Sequence, residues 1–158
     1  MQILVDEARC SGCRACELAC VARHDGRFGT STARIRVVKI EAHGVDRPSV
    51  CRQCADAPCV EVCPGGALRR DDATGVVHFA AGDCIVCPAC AAACPFDVVF
   101  LDAATGMPRF CDLCDGDPAC VKRCVTGALS WATQAPPLRQ PPRAQGAAEA
   151  RLSEADRV

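Results

Sequence analysis

Sixteen of the 158 residues are cysteine, and they fall into four groups of four: Cys10, Cys13, Cys16, Cys20; Cys51, Cys54, Cys59, Cys63; Cys84, Cys87, Cys90, Cys94; and Cys111, Cys114, Cys120, Cys124. The first and third groups read Cys-x2-Cys-x2-Cys-x3-Cys, while the second widens the middle gap to four residues and the fourth to five. Every group opens with Cys-x2-Cys and closes with Cys-x3-Cys, and no cysteine is left over. A pattern repeated in this way is an internal repeat. The chemistry it suits is ligation of [4Fe–4S] clusters, which take one thiolate on each iron. Two-residue gaps let a short loop wrap a cluster and present the first three thiolates of a group. The fourth cysteine, about one helical turn later, points away from that loop and serves a second cluster. Pro64 and Pro95 directly follow a fourth cysteine, and proline there cannot continue a short helix.

Other uses of cysteine fit less well. Structural zinc takes well-separated Cys-x2-Cys pairs, so three cysteines within the seven residues from Cys10 to Cys16 crowd a tetrahedral site. A disulfide framework belongs to oxidising compartments. The stretch from Met1 to Glu7 has no basic region, long apolar run or twin arginine, so no export signal is read and the expected location is cytoplasmic. A radical-type cluster would need Cys-x3-Cys-x2-Cys, but Arg23, Gly66, Asp97 and Gly127 stand where such a pattern would continue.

Composition narrows the function further. Five Phe, one Trp and no Tyr leave little material for an ordinary core. The clusters are therefore expected to act as the core, and the apo-chain to be largely unfolded. With 18 basic against 19 acidic residues, nucleic acid and anionic membrane are not default partners. No apolar run reaches the ~18 residues of a membrane span. His24, His43 and His78 share no metal spacing and read as surface or strand histidines, and Trp131 reads as a packing residue. With no phosphate loop, nucleophile elbow or metalloprotease motif, no catalytic residue is assigned.

The elements that must position the cysteines are short. Gln2 to Val5, Arg34 to Glu41, Val98 to Leu101 and Ala128 to Trp131 read as strands. Ala67 to Arg70 and Val76 to Phe79, on either side of a turn at Asp71 to Gly75, read as a hairpin. Short helices are expected to carry the third and fourth cysteines of each group. From Ala135 the character changes: Pro136, Pro137, Pro141 and Pro142 make a stiff linker, and 144–157 reads as a helix. The fold class is α+β, with two ferredoxin-like dicluster modules over 1–134 and a Pro-rich tail with a docking helix over 135–158.

In Cys10-Ser11-Gly12-Cys13-Arg14-Ala15-Cys16-Glu17-Leu18-Ala19-Cys20, Cys51-Arg52-Gln53-Cys54, Ala57-Pro58-Cys59, Cys63-Pro64, Cys94-Pro95-Phe96 and Cys111-Asp112-Leu113-Cys114, the chain resembles the four-cluster ferredoxin-type subunits of large oxidoreductases. These include the iron–sulfur subunits of carbon monoxide dehydrogenase, formate hydrogenlyase, formate dehydrogenase, dimethyl sulfoxide reductase and tungsten aldehyde oxidoreductase. Val125 stands where many relatives have proline after the last cysteine. The likeness covers roughly 1–133 and implies nested pairing of the groups. In agreement, groups two and three flank the hairpin and so form an inner module, 48–107, leaving groups one and four to form an outer module from 1–33 and 108–134.

Carried over, one cluster is held by Cys10, Cys13, Cys16 and Cys124, and its neighbour by Cys20, Cys111, Cys114 and Cys120. The inner pair is held by Cys51, Cys54, Cys59 and Cys94, and by Cys63, Cys84, Cys87 and Cys90. With roughly −2 on each oxidised cluster, four would take a chain of formal charge −1 to about −9. Arg14, Arg52, Arg109, Lys122 and Arg123 lie beside ligands and are the candidates to soften that field. The resemblance implies an electron-transfer subunit beside a catalytic subunit with a molybdenum or tungsten pterin, tungsten aldehyde oxidoreductase being the weakly favoured type, or a nickel–iron centre. A flavin or NAD subunit or further copies of the chain are additional partners, and the alternative is a free polyferredoxin carrier.

Overall fold

The computed structural model describes residues 1–133, so the linker and helix expected over 135–158 lie outside the described residues. Eight short strands and four short helices alternate with the cysteine loops: β1 Gln2–Val5, α1 Ala15–Asp25, β2 Ile35–Ile40, β3 Val45–Val50, α2 Pro58–Glu61, β4 Leu68–Arg70, β5 Val77–Phe79, α3 Ala89–Ala93, β6 Phe100–Leu101, β7 Pro108–Arg109, α4 Ala119–Arg123 and β8 Leu129–Ala132. Every sheet among them is an antiparallel pair: β1 with β8, β2 with β3, β4 with β5, and β6 with β7.

This order shows a longer repeat than the four cysteine groups. A strand leads through a one-turn 3₁₀ segment, Glu7–Arg9 or Ala81–Asp83, into the first group of each half. A helix, a hairpin, the second group, another helix and a final strand follow. The first half runs from β1 to β4 and the second from β5 to β8. The closing pairs cross between halves: β4 meets β5, while β1 and β8, at opposite ends of the described chain, pair from Gln2↔Ala132 to Val5↔Leu129. The end groups are thereby brought to one another, as are the middle groups.

Two apolar clusters follow from this closure. One gathers Ile3, Val21, Ile35, Val50, Leu113 and Leu129 with Cys16, Cys20, Cys111 and Cys120. The other gathers Leu68, Val77, Ala91, Val99 and Phe110 with Cys90. Ile3 and Leu113 are completely buried, and each such side chain contributes about 1.5–3 kcal/mol. Arg36 lies over the Phe100 ring at 4.5 Å, tying the hairpin of one half to that of the other.

Several local expectations change. Only Phe100–Leu101 of the expected strand 98–101 pairs; Val98 and Val99 are buried without joining it. β3 and β7 were not expected, because Pro48 and Pro108 have no N–H to give to a ladder. In a sheet of two strands each strand is an edge, so proline is tolerated, with Pro48 opposite Val37. Each third cysteine does lie on a helix, but only α1 holds the fourth as well; Cys94 and Cys124 cap α3 and α4, and Cys63 lies beyond α2. α2, α3 and α4 thus end before the fourth cysteine, which turns away, whereas α1 runs on past Cys20 to Asp25.

Candidate functional site

The cysteine loops share a backbone device that their side chains do not. The residue just before the second cysteine of each group is left-handed: Gly12 at φ 67°, Gln53 at 49°, Val86 at 56° and Leu113 at 58°. Glycine takes this conformation freely, but a β-branched valine does not, and such strain costs about 1–3 kcal/mol where surroundings impose it. A left-handed residue in a tight turn aims successive N–H groups inward as a concave nest for an anion. A second device follows the fourth cysteine. Gly66, Asp97 and Gly127, at φ 61°, 58° and 66°, donate their N–H groups back to the carbonyls of Cys63, Cys94 and Cys124 at 3.2, 3.4 and 3.2 Å. These turns send the chain outward into β4, β6 and β8.

The loops bring cysteines from distant segments together. Cys10, Cys13, Cys16 and Cys124 line one cavity. Cys20, Cys111, Cys114 and Cys120 line another. Cys63, Cys84, Cys87 and Cys90 line a third. Cys51 feels the charges of Cys59, Cys54 and Cys94, and Cys59 those of Cys94 and Cys54, so these too are neighbours. All sixteen cysteines are free thiols. An all-thiol donor set of four fits an iron–sulfur cluster.

Burial dominates the electrostatics of the thiols. It pushes Cys16, Cys51, Cys59 and Cys120 up to about 12, with neighbouring thiols adding to the effect. Cys111 is raised well above the ordinary value by burial first and by Cys51 next. Cys124 differs: burial opposes its ionisation, but hydrogen bonds from Thr126 and from the backbone of Leu129 and Ala128 carry it below the ordinary value. Ligation requires thiolates, so loading must release protons and is favoured by rising pH.

Four residues beside the thiols carried no sequence assignment to this role. Arg34 donates its backbone N–H to Cys20 Sγ at 3.3 Å and its guanidinium to Asp112 Oδ2 at 2.6 Å. His24, read as a surface or strand histidine, is half-buried on α1 with Nε2 3.5 Å from Cys114 Sγ; burial, then Arg34, hold its imidazole below its usual range. Its place four residues after Cys20 on one helix was the available signal. Glu17 is buried beside Cys16 and accepts the Val37 N–H at 2.6 Å. Gln53 is buried with both ends of its amide bonded. Of the expected bases, Arg109 pairs with Asp102 at 2.7 Å and Lys122 with Asp117 at 2.5 Å, so part of their charge is neutralised locally. Burial lowers the Arg52 pKa, and the neighbouring carboxylate and thiols of Glu7, Cys51 and Cys54 oppose that shift.

The 4Fe-4S dicluster domain family matches residues 44–134. The chain belongs to this family. It is 43% identical over 122 residues to the polyferredoxin-like subunit of the aliphatic sulfonate oxidoreductase of Pyrococcus furiosus, covering 77% of this chain and 70% of that one. It is 36% identical over 150 residues to the electron transport protein HydN of Escherichia coli K12, covering 80% and 85% of the two chains. Among solved structures it is similar to a chain of the active site complex BamBC of benzoyl coenzyme A reductase, at 28% identity and a TM-score of 0.50, covering 96% of this chain and 86% of that one. The family is one of iron–sulfur electron transfer, and this chain is an electron-transfer protein of the kind that accompanies a catalytic subunit. Among the described residues no helix is long and apolar enough to cross a membrane.

Proposed function

We propose that the chain relays single electrons through four [4Fe–4S] clusters, as the electron-transfer subunit of a multi-subunit oxidoreductase. Such a cluster supplies one-electron exchange without bond rearrangement. Its holders here are Cys10, Cys13, Cys16 and Cys124; Cys20, Cys111, Cys114 and Cys120; Cys51, Cys54, Cys59 and Cys94; and Cys63, Cys84, Cys87 and Cys90. The observation that carries this reading is the convergence, in single cavities, of cysteines from opposite ends of the chain.

Neighbour relations among the thiols support an order of the sets in file. Cys120 feels Cys16 as well as Cys20 and Cys114. Cys111 feels Cys51 more strongly than any other thiol, and Cys59 feels Cys90. The terminal sets hold the two most exposed thiols, Cys13 and Cys87. Exposed apolar residues flank both ends: Val125 follows Cys124, and Ile85 and Val86 precede Cys87. Of the two middle sets, that of Cys20, Cys111, Cys114 and Cys120 is buried throughout, while Cys51, Cys54, Cys59 and Cys94 are each partly exposed. A protein whose only task were to collide with one partner has no use for two further sets between the two that carry exposed thiols; a fixed subunit that joins a buried active site to a distant acceptor does.

The outer module is assigned to 1–33 with 108–134, the inner one to 48–107, and the tail over 135–158 to attachment. The catalytic partner is assigned to the molybdenum or tungsten pterin class or the nickel–iron class, consistent with relatives that are subunits of oxidoreductases. Anaerobic purification from the source cells tests the whole reading. The expected product is a complex with a larger catalytic subunit, bearing about 16 iron and 16 sulfide per copy of this chain. Iron near 8, or stoichiometric zinc, would overturn the relay, and isolation of the loaded chain alone would make it a diffusing carrier.

A further inference from the structure

We propose that Gln53 is the positioning residue for the junction between the two modules, the place where the set of Cys20, Cys111, Cys114 and Cys120 approaches the set of Cys51, Cys54, Cys59 and Cys94. This rests on the ligand sets assigned above. Gln53 lies between Cys51 and Cys54 and is 8% exposed. Its Nε2 donates to the carbonyl of Cys111 at 2.7 Å. Its Oε1 accepts the N–H of Val77, the first residue of β5, at 2.8 Å. One side chain thus ties the loop of one set to a ligand of the next, and to the hairpin of the inner module.

The residue is costly for its place. Fixing a buried glutamine side chain costs rotamer freedom, and its backbone is left-handed at φ 49°. The equivalent positions in the other loops are Gly12, Val86 and Leu113, none of which has a polar side chain. The polar residue occurs in the loop that faces the other module, where Cys51 is the thiol with the strongest influence on Cys111. A buried amide with both ends satisfied holds one geometry, since leaving either end unpaired is penalised. The route from Cys111 through Gln53 to the backbone of Cys54 contains a single non-covalent step. Tunnelling falls exponentially with distance and is weaker across a gap than along bonds, so a loosened junction slows transfer between modules without touching a ligand.

Two variants of the full-length holoprotein test this. Gln53→Met keeps the volume and can make neither bond. Gln53→Glu keeps an acceptor for Val77 and loses the donor to Cys111. Both are expected to hold wild-type iron. In both, electron redistribution after flash photoreduction should slow by about tenfold or more, and the spin–spin splitting of the fully reduced protein should shrink. A lowered melting temperature with wild-type splitting and redistribution would make Gln53 a packing residue and overturn the proposal. If Gln53→Met failed to load iron, Gln53→Glu would decide by the same criteria, and loss of clusters in both would also overturn it. Wild-type iron near 8 would instead sink the assignment of the sets, an outcome separate from failure of the variants in a protein with about 16.

Discussion

Replacing Cys124 by serine should remove the cluster assigned to the other end of the chain. Cys124 shares its cavity with Cys10, Cys13 and Cys16, whereas Cys111, Cys114 and Cys120, its neighbours in sequence, line a separate cavity with Cys20. Serine keeps the side chain's shape, so the change acts on ligation rather than packing. It also removes the one thiol whose pKa the fold lowers, chiefly through Thr126 against the pull of burial. A protein with about 16 iron should fall to about 12 if the cluster is lost, or to about 15 if one corner opens, with visible absorbance down by up to about a quarter. Pairing the change with a second substitution sharpens the test. Cys13→Ser with Cys124→Ser should cost no more than the about four iron of one cluster, because both act on one site. Cys114→Ser with Cys124→Ser should lose the sum of the two single losses, about 8 iron where each site loses its whole cluster, because independent sites add. Iron content and electron paramagnetic resonance of the purified variants are the assay. The opposite order, with Cys114 and Cys124 non-additive and Cys13 and Cys124 additive, would refute the cross-ligated scheme.

Other outcomes follow from the same geometry. Glu17→Gln retains an oxygen for the Val37 N–H but removes a buried negative charge beside Cys16. The potential of that cluster should rise, by about the 59 mV of a tenfold one-electron shift, and a potentiometric titration showing no change or a fall would exclude the carboxylate as a tuning charge. Asp102 is held at about 2, below its ordinary 3.8, first by Arg109 and then by Thr105. Its contribution to stability is present above the ordinary value and lost only as pH falls towards 2, so Asp102→Asn should melt lower than wild type by the same margin at pH 6 and pH 8. A margin that shrinks over that interval would point to another group. Truncation after Gln134 should leave the iron content intact and reduce the size of the assembly on gel filtration; an unchanged particle would remove attachment as the tail's task.

The sequence alone determined what the chain can bind. Cys-x2-Cys and Cys-x3-Cys spacings are read along covalent bonds, and a loop of two residues has few ways to fold, so the ligand type and its internal repeat were legible. So were β1 and β2, whose alternating and β-branched residues report a half-buried face, and the β4–β5 hairpin, framed by its turn. Proline hid β3 and β7, because its missing N–H excludes it from the interior of a wide sheet but not from a ladder of two. His24 left a faint trace four residues from Cys20. Arg34 and Glu17 left none, since nothing in the local sequence of either tells which thiol it will face. Gln53 was visible as part of Cys51-Arg52-Gln53-Cys54, but not its bonds to Cys111 and Val77. Those contacts depend on closure of β1 on β8 and of β4 on β5. Strand pairing across such separations is set by the sum of packing over the whole molecule. The tertiary structure therefore decided which groups meet, which thiols are sheltered and which charges stand beside them.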